Sequence, residues 1–264
     1  MFSLRRVLRA MVGVNCRISA ILERLAARLV DRTSGMADFS HRVAPSLLRP
    51  GMRLLDVGGG RNPSFDDATV RKFGLHVTGL DISEDELRLA PPGAYHGMLV
   101  GDVATAAIRG PYDLILSRAV LEHVENPAAA LDNMGAALAE GGIMAHFIPC
   151  RNAPFAMLNR ALGNRLVRRI MVRIYPQSLG MAGFKAYYRF CVPSQVAAWC
   201  QARGMEIVEL KPYFVSDYFR FFAPAHAIEL VRQMLTMLLG VRDLAETFCV
   251  VARKKSQTDE LREL

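Results

Sequence analysis

Hydrophobic residues in the middle of the chain occur in short runs that alternate with longer, helix-like patterns. Five runs, each followed by glycine or polar residues, lie at residues 52–57, 75–81, 95–100, 112–117 and 142–148. Between the last two, residues 127–140 have the spacing of a helix, which Gly141 and Gly142 should end. Strands that alternate with helices are typical of βαβ units, so we expect a parallel sheet covered by helices.

This alternation stops after Pro149 and resumes near residue 193. Residues 159–175 predict a basic helix, because arginines are interleaved with aliphatic residues there. The remaining chain then predicts two helix–strand pairs: helices at 193–203 and 224–239, and strands at 205–210 and 247–252.

The first thirty residues have helical periodicity of their own. Apolar residues recur three, four or seven positions apart, and most arginines fall off that stripe. Arg9 and Arg17 interrupt the apolar stretch, which argues against a secretory signal. A mitochondrial presequence has a similar pattern, so a targeting segment, a membrane-binding helix and a helix of the core all remain open.

We therefore expect the chain to be organised in consecutive segments of one domain. These are an N-terminal amphipathic helical segment, a first half of the sheet, a basic helical insertion or lid, the rest of the domain and a tail, at residues 1–40, 41–150, 151–192, 193–255 and 256–264.

Composition excludes several classes of protein. The chain has 264 residues, of which 52% are hydrophobic, which is ample for a buried core. No uninterrupted apolar run reaches the roughly 18 residues that a membrane-spanning helix needs. The five cysteines are widely spaced, which argues against a disulfide scaffold or a zinc site and for a reducing compartment, and we expect a cytoplasmic protein without a metal.

The formal net charge of +8 is unevenly distributed. Residues 41–150 carry a net charge of −4, whereas residues 1–40 and 151–255 carry +4 and +10. An acidic middle is therefore flanked by two basic segments, and the nature of any anionic partner has to be argued from those segments.

The strongest chemical signal is the glycine run Gly58-Gly59-Gly60, which follows the first predicted strand directly. Glycines suit a tight turn where a ligand must approach the backbone without a Cβ in the way. Three further features follow in order: Asp81 at the end of the second strand, Asp102 after the third, and the sequence from Ser117 after the fourth.

With these features in this order, the sequence resembles the class I S-adenosylmethionine-dependent methyltransferases. It is similar to the small-molecule group whose fourth motif reads Leu-Glu-His-Val followed by Asn-Pro, here at residues 121–124 and 126–127. The resemblance covers residues 52 to about 150 well and the later segments more loosely. It implies a Rossmann-like, doubly wound α/β fold whose seven-stranded, mostly parallel sheet has an antiparallel last strand.

The resemblance also implies roles for individual residues at the glycine loop. Gly58 and Gly60 would shape the loop under the methionine end of S-adenosylmethionine, the expected cofactor. Asp56 would orient the loop and meet the methionine amino group. Asn62 stands where the family usually has its last loop glycine, and asparagine tolerates a left-handed backbone better than most residues.

Further residues are assigned to the other parts of the cofactor. Asp81, with its neighbour Ile82, would hold the ribose, because a short acid can accept bonds from both hydroxyls. Asp102 and Val103 would meet the adenine edge, and Ser117 would line the cleft beside the reacting methyl group.

His123 is the candidate catalytic residue. A histidine titrates near neutrality and could take a proton from an acceptor hydroxyl, although it could equally be structural. His146, Tyr187, Tyr188 and Arg189 are weaker candidates for the acceptor pocket. Because positioning supplies much of the catalysis in an in-line methyl transfer, a dedicated base is not obligatory.

The acceptor is expected to be a small molecule, a lipid or a glycan precursor methylated on oxygen or carbon. In related methyltransferases, an Asn/Asp-Pro-Pro-Tyr/Phe motif is typical of enzymes that methylate nitrogen atoms of nucleic acids and proteins. This sequence does not resemble them, since it lacks the motif, and nucleic acid is therefore disfavoured as a partner. Two basic amphipathic segments, residues 4–30 and 159–175, make an anionic membrane surface a candidate partner and a peripheral location an alternative. The rival interpretations are a nicotinamide-dependent oxidoreductase, a non-catalytic or membrane-associated methyltransferase-like protein and, less favoured, an RNA methyltransferase.

Overall fold

The computed structural model describes residues 4–163, 166–167, 169 and 184–256, and its strands form one seven-stranded sheet. The strands are β1 Arg53–Val57, β2 His76–Asp81, β3 Gly97–Val100, β4 Tyr112–Arg118, β5 Leu138–Pro149, β6 Met205–Tyr213 and β7 Thr247–Lys254. The helices are α1 Leu4–Ala26, α2 Gly35–Asp38, α3 Ala44–Ser46, α4 Asp67–Phe73, α5 Glu84–Arg88, α6 Pro127–Ala137, α7 Pro154–Leu162, α8 Pro193–Ala202 and α9 Ala223–Leu238.

The order of the strands is β3-β2-β1-β4-β5-β7-β6, which confirms the predicted sheet. The pairs from β3 through β5 are parallel, and β7 lies antiparallel between β5 and β6. Val57 at the end of β1 is in register with Leu80 of β2 and with Ser117 of β4. The carboxyl ends of the central strands therefore meet at one edge, where open α/β sheets bind their ligands.

Side chains of each strand alternate between two apolar layers. Leu55 and Val57 face a layer that contains α6 and α8, whose Trp199 is almost fully buried. Leu54 faces the opposite layer with α4 and a π-helical turn at Phe39–Val43, which joins α2 to α3. The sheet is thus covered on both faces, as expected for a parallel sheet.

Helix α6 is shorter than the sequence pattern predicts. It ends at Ala137 rather than near residue 140, and β5 begins at Leu138, which is buried and pairs with Tyr112. The pairing then shifts across a bulge, with Gly141 at φ +69°, and resumes between Leu114 and Ile143. Burial of Leu138 in the sheet layer outweighs the helical periodicity of the residues before the glycines.

Two hydrogen bonds attach α1 to the start of α9 and to the residues just before it. The Ser19 hydroxyl donates to the Arg220 carbonyl (3.0 Å), and the Ala223 amide donates to Asn15 Oδ1 (2.8 Å). Ser19 is completely buried. The predicted N-terminal helix therefore packs on this domain through one of its faces.

Part of the predicted basic helix at 159–175 lies outside the described residues. Helix α7 covers its beginning, from Pro154 to Leu162, and residues 166, 167 and 169 are helical as well. Among the described helices, none has the length and apolar character needed to cross a bilayer.

Candidate active site

The glycine loop begins where β1 ends and turns beneath β4. Gly58 has φ +67°, and a Cβ on it would lie 2.3 Å from Val120 Cγ2. Gly60 has φ +46°, and a Cβ there would lie 3.0 Å from Asp81 Oδ2. Only glycine allows both the backbone conformation and these close approaches.

Asp56 organises this loop from inside the protein. Its carboxylate accepts hydrogen bonds from the Ser64 amide (2.7 Å) and hydroxyl (2.6 Å), and the Tyr95 hydroxyl lies 3.4 Å away. Burial raises the pKa of Asp56, and the bonds from Ser64 and the charge of Arg118 oppose that shift. With both oxygens engaged and only 2% of the residue exposed, Asp56 has contacts that suit the loop-orienting part of its expected role.

Arg118 at the end of β4 supports the loop from the other side. Its Nη2 donates to the carbonyls of Asn62 (2.8 Å) and Pro63 (3.2 Å). The backbone N–H of Asn62 also donates a hydrogen bond to the Gly59 carbonyl (2.8 Å). Positive φ angles at non-glycine residues among the described part of the chain occur at positions 119, 188 and 190, so Asn62 replaces the family glycine without a left-handed backbone.

Asp81 faces the glycine loop from the end of β2. One carboxylate oxygen accepts from the Ser83 amide (2.9 Å), and the other lies beside the space that Gly60 leaves open. Burial raises the pKa of Asp81, and the neighbouring Glu86 adds to the shift. Ile82 follows with 61% of its side chain exposed, so an apolar surface adjoins a carboxylate. This pair fits a nucleoside, which offers ribose hydroxyls beside a flat apolar base.

An ion pair joins the glycine loop to α5. Arg61 Nε and Nη2 each donate to a different oxygen of Glu86 at 2.6 Å. Ser83 caps the start of α5, because its hydroxyl accepts a hydrogen bond from the Glu86 amide (3.3 Å). The loop after β1 and the helix after β2 are thus held together along one side of the candidate cofactor position.

Asp102 and Val103 occupy the next position along this edge, after β3. The Asp102 side chain is exposed and accepts from the Ala104 amide (2.9 Å), whereas the Val103 side chain is buried. Asn133 of α6 donates to the carbonyls of Val103 and Ala106, both at 2.8 Å. The turn after β3 is therefore fixed to a helix and presents the Asp102 side chain to solvent.

Ser117 does not line an open cleft in this structure. Ser117 is completely buried, and its hydroxyl lies 2.8 Å from His146 Nδ1 on the neighbouring strand β5. Burial lowers the pKa of His146 to about 4, so the imidazole is neutral. The two residues form a polar pair inside the sheet, because strand alternation turns position 117 away from solvent. His146 is likewise buried.

His123 is placed at the edge of the site beside a second ionisable group, Glu122. His123 Nδ1 lies 3.1 Å from the Lys185 carbonyl, and its Nε2 lies 3.7 Å from Glu122 Oε1. Burial lowers the pKa of His123. Burial also raises the pKa of Glu122 to about 8, and Glu122 Oε2 has no hydrogen-bond partner among the described residues. A carboxyl group left in this state beside a neutral imidazole is typical of functional sites.

The segment after the undescribed residues folds over this pair. The amides of Tyr187 (2.7 Å) and Tyr188 (3.1 Å) both donate to the Glu122 carbonyl. Tyr188 is buried with φ +51°, a conformation unfavourable for a non-glycine residue, and its ring packs edge-on against Phe155 of α7. Arg189 donates to the Glu125 carbonyl (3.1 Å). Of the weaker acceptor-pocket candidates, Tyr187, Tyr188 and Arg189 thus lie next to the motif that holds His123.

Strand order and site together define a class. A glycine loop after β1, an acid at the end of β2 and an antiparallel β7 inserted beside β5 are the architecture of class I S-adenosylmethionine-dependent methyltransferases. A family model described as a methyltransferase domain matches residues 26–210, and the chain belongs to this family.

Similar proteins and structures agree with that class. The chain is 28% identical to the ubiquinone biosynthesis O-methyltransferase of Nitrosococcus oceani over 61% of this chain and 66% of the relative. It is also 28% identical to the enzyme of the same name from Aromatoleum aromaticum, over 69% and 70%. The match thus spans about two thirds of these relatives. The structure of geranyl diphosphate C-methyltransferase from Streptomyces coelicolor, bound to S-adenosylhomocysteine, has a TM-score of 0.52 at 12% identity, covering 83% of this chain and 79% of that one.

These findings decide between the expected classes. S-adenosylmethionine is the cofactor of this family, and the comparisons support neither a nicotinamide-dependent oxidoreductase nor an RNA methyltransferase. Sequence reasoning missed Ser64, Tyr95, Arg118 and Glu122 as parts of the site. Only Glu122 carried a local signal, as the neighbour of His123 in the fourth motif.

Proposed function

We propose that S-adenosylmethionine binds along the carboxyl ends of β1, β2 and β3. The Asp81 carboxylate accepts bonds from the ribose hydroxyls, and Ile82 covers one face of the adenine. Asp102 and the Val103 backbone meet the adenine edge, and the loop from Gly58 to Gly60 passes beneath the methionine end. The observation that carries this proposal is the Asp81 oxygen that faces the gap left by Gly60 at the shared edge of the sheet.

We propose further that the methyl group goes to a hydroxyl oxygen of a small or lipid-linked acceptor. The relatives named as ubiquinone biosynthesis O-methyltransferases support oxygen as the acceptor atom. When bound, S-adenosylmethionine would supply an electrophilic methyl group. The acceptor oxygen would attack the methyl carbon in line as the carbon–sulfur bond breaks, and S-adenosylhomocysteine would leave with the bonding electron pair. Because the hydroxyl must lose its proton, a base near the acceptor oxygen accelerates the transfer.

His123 is suited to receive that proton. A carbonyl can only accept, so the contact with the Lys185 carbonyl places the imidazole hydrogen on Nδ1. The lone pair is then on Nε2, and the lowered pKa keeps the ring neutral and ready to accept. Tyr187 and Arg189 lie beside the same motif and provide aromatic and cationic surface for the acceptor.

Calorimetric titration with S-adenosylmethionine tests the cofactor half of the proposal. We expect saturable binding to the wild type and a loss of about tenfold or more in affinity for Asp81→Ala, since a hydrogen bond to a charged group contributes about 1.5–3 kcal/mol. Asp85→Ala is the matched control, because Asp85 is an exposed acid of α5. Equal affinity of Asp81→Ala and the wild type would show that the ribose is bound elsewhere.

Methyl transfer itself is tested with S-adenosylmethionine that carries a trideuterated methyl group. The protein is incubated with a lipid extract and with phenolic acceptors, and products are read by mass spectrometry. An O-methyl ether with the heavy label supports the proposal. Label on a carbon atom, or none on any product although the cofactor binds, contradicts the O-methyl transfer and leaves the binding site intact.

A further inference from the structure

Helix α1 has an unusually large apolar surface that faces solvent. Its exposed apolar residues follow each other at alternating intervals of four and three, which places them in one stripe along the helix. This apolar stripe consists of Val7, Met11, Val14, Ile18, Ile21 and Leu25, whose exposed fractions are 44–58%. The residues that face α9 form a different stripe, which includes the buried Ser19 and Ala26. The apolar stripe is therefore not the side that packs on the domain.

Arginines flank the apolar stripe on its far side. They are the exposed residues Arg6, Arg9, Arg17 and Arg24 of α1 and Arg28 just after it. With the partners that the structure describes, none of them forms an ion pair. Glu23, the acid of α1, turns inward instead, with Oε1 at 3.1 Å from His226 Nε2 and 3.4 Å from Arg220 Nε. The outer surface of α1 thus carries apolar and cationic residues side by side.

Helix α9 extends this surface. Ile228, Val231, Leu235 and Leu238 recur along its outer side and are 53–74% exposed. Since α1 and α9 pack against each other, two exposed apolar stripes lie on neighbouring helices. Exposed apolar stripes on two neighbouring helices are typical of an interaction site.

We propose that α1 and α9 together form a docking surface for an anionic lipid bilayer. An amphipathic helix with a basic flank lies in the membrane interface, with apolar side chains among the acyl chains and arginines at the headgroups. A second copy of the chain is the weaker candidate. A symmetric pairing through α1 would bring arginines of like charge together, whereas anionic headgroups neutralise them.

A series of contacts links the docking surface on α1 and α9 to the acceptor side of the site. Ser19 binds the Arg220 carbonyl, and nearby Tyr218 stacks on Phe155 of α7 with 5.6 Å between ring centroids. Phe155 in turn contacts Tyr188, which binds Glu122. These contacts link the helices of the docking surface to the segment that covers His123. The inference concerns binding alone and does not depend on which acceptor is methylated.

Vesicle flotation of the full-length protein tests the proposal. We expect the wild type to float with vesicles of phosphatidylcholine and phosphatidylglycerol, and to remain at the bottom with phosphatidylcholine alone. Ile18→Asp and Leu235→Asp should each weaken partition by about tenfold or more, because each places a charge where an aliphatic side chain would be buried. Arg17→Gln and Arg24→Gln should each weaken it about fivefold, since one basic residue near an anionic surface contributes about 1 kcal/mol.

Two exposed positions elsewhere serve as matched controls. Val208→Asp on β6 and Arg109→Gln after β3 change the same residue types away from α1 and α9 and should float like the wild type. Unaltered circular dichroism and S-adenosylmethionine binding show that a variant is folded. Failure of the wild type to float with anionic vesicles overturns the proposal. Flotation of Ile18→Asp and Leu235→Asp equal to wild type also overturns it. Sedimentation as a dimer that these two substitutions abolish would identify the surface as a self-interface instead.

Discussion

Gly58 meets two separate physical requirements that no other residue type meets. Its φ of +67° is unfavourable for any residue with a Cβ, and that Cβ would overlap Val120 Cγ2 at 2.3 Å. Gly51 provides a natural comparison, because it has φ +76° but nothing within 4 Å of the position of a Cβ. The two glycines therefore separate the cost of backbone conformation from the cost of overlap.

We expect Gly51→Ala to lower the free energy of unfolding by about 1–2 kcal/mol, the cost of a left-handed conformation. Gly58→Ala should lower it by about 2–5 kcal/mol, since overlap in a packed site adds to that cost. It should also weaken S-adenosylmethionine binding, which Gly51→Ala leaves unchanged. Urea unfolding and calorimetry check both. Adding Val120→Ala should recover part of the stability of Gly58→Ala, and no recovery would mean that the overlap is not the cause.

His123→Gln tests the proposed base. We expect kcat to fall by roughly 100-fold or more, the usual contribution of a positioned acid or base, with no change in affinity for S-adenosylmethionine. The wild-type rate should fall as the pH drops through the pKa of His123, which burial holds below its ordinary value of 6.5. In His123→Gln this acidic limb should vanish. A variant with wild-type kcat would assign His123 a structural role.

The individual site residues were predictable from sequence only where the signal is local. Gly58 and Asp81 follow apolar strands directly, and this pattern places them at the carboxyl edge. Ser64 and Arg118 gave no such signal. Ser64 donates hydrogen bonds to Asp56 across the loop, and Arg118 donates to the Asn62 carbonyl from another strand, so neither contact is recorded in the local sequence. Ser117 was expected beside the reacting methyl group, whereas the structure buries it, because strand alternation at the end of β4 decides which way its hydroxyl points.

At the scale of elements, the glycine loop is held by two neighbours that come later in the chain. Arg61 links it to α5, and Arg118 links it to the end of β4. The Arg118 guanidinium spans two successive carbonyls, which the point charge of a lysine cannot reproduce. The loop is therefore held by protein contacts on two sides, which lowers the cost of ordering it when a ligand binds.

We expect Arg118→Gln and Arg118→Lys to weaken S-adenosylmethionine binding by about tenfold, because bonds from a charged donor to the loop are lost. The free energy of unfolding should fall by only about 1–2 kcal/mol, since Asn62 is exposed and water can replace part of the contact. Arg109→Gln is the exposed control. Calorimetry measures the first effect and urea unfolding the second. Full affinity of Arg118→Lys would show that charge alone is sufficient.

The elements themselves were largely predictable, apart from their ends. Periodicity located every strand of the sheet, and α8 ends at Ala202, close to the predicted residue 203. The end of α6 was wrong by about three residues, because pairing of Leu138 with Tyr112 is a contact between segments that no local pattern records. The face of α1 that packs on α9 was likewise unpredictable, since the packed side carries the polar residues Asn15 and Ser19 whereas the apolar stripe is exposed.

The free energy of unfolding of the whole molecule depends on pH through its buried ionisable groups. Glu122 is 4% exposed, and burial raises its pKa from 4.5 to about 8. Between these two pH values the native state holds a proton that the unfolded chain releases. The free energy of unfolding therefore falls as pH rises through this interval, which is a cost that the site imposes on the fold.

Glu122→Gln should remove this dependence. Relative to the wild type, its free energy of unfolding should increase steadily between about pH 4.5 and pH 8 and stay constant above that. Urea unfolding at several pH values gives the difference directly. Glu140→Gln, at an exposed acid of β5, is the control and should run parallel to the wild type. A difference that does not vary with pH would mean that Glu122 is ionised in the native state.

The position of β7 has a consequence for how the protein is made. This strand lies between β5 and β6, and its residues from Phe248 to Ala252 are almost completely buried. While the ribosome is still translating the preceding residues, β5 and β6 each expose an unpaired edge that can join another strand. The sheet closes only when residues 247–254 emerge. Nascent chains should therefore depend on chaperones until a late stage of synthesis, and premature termination before Thr247 should yield aggregates rather than a functional fragment.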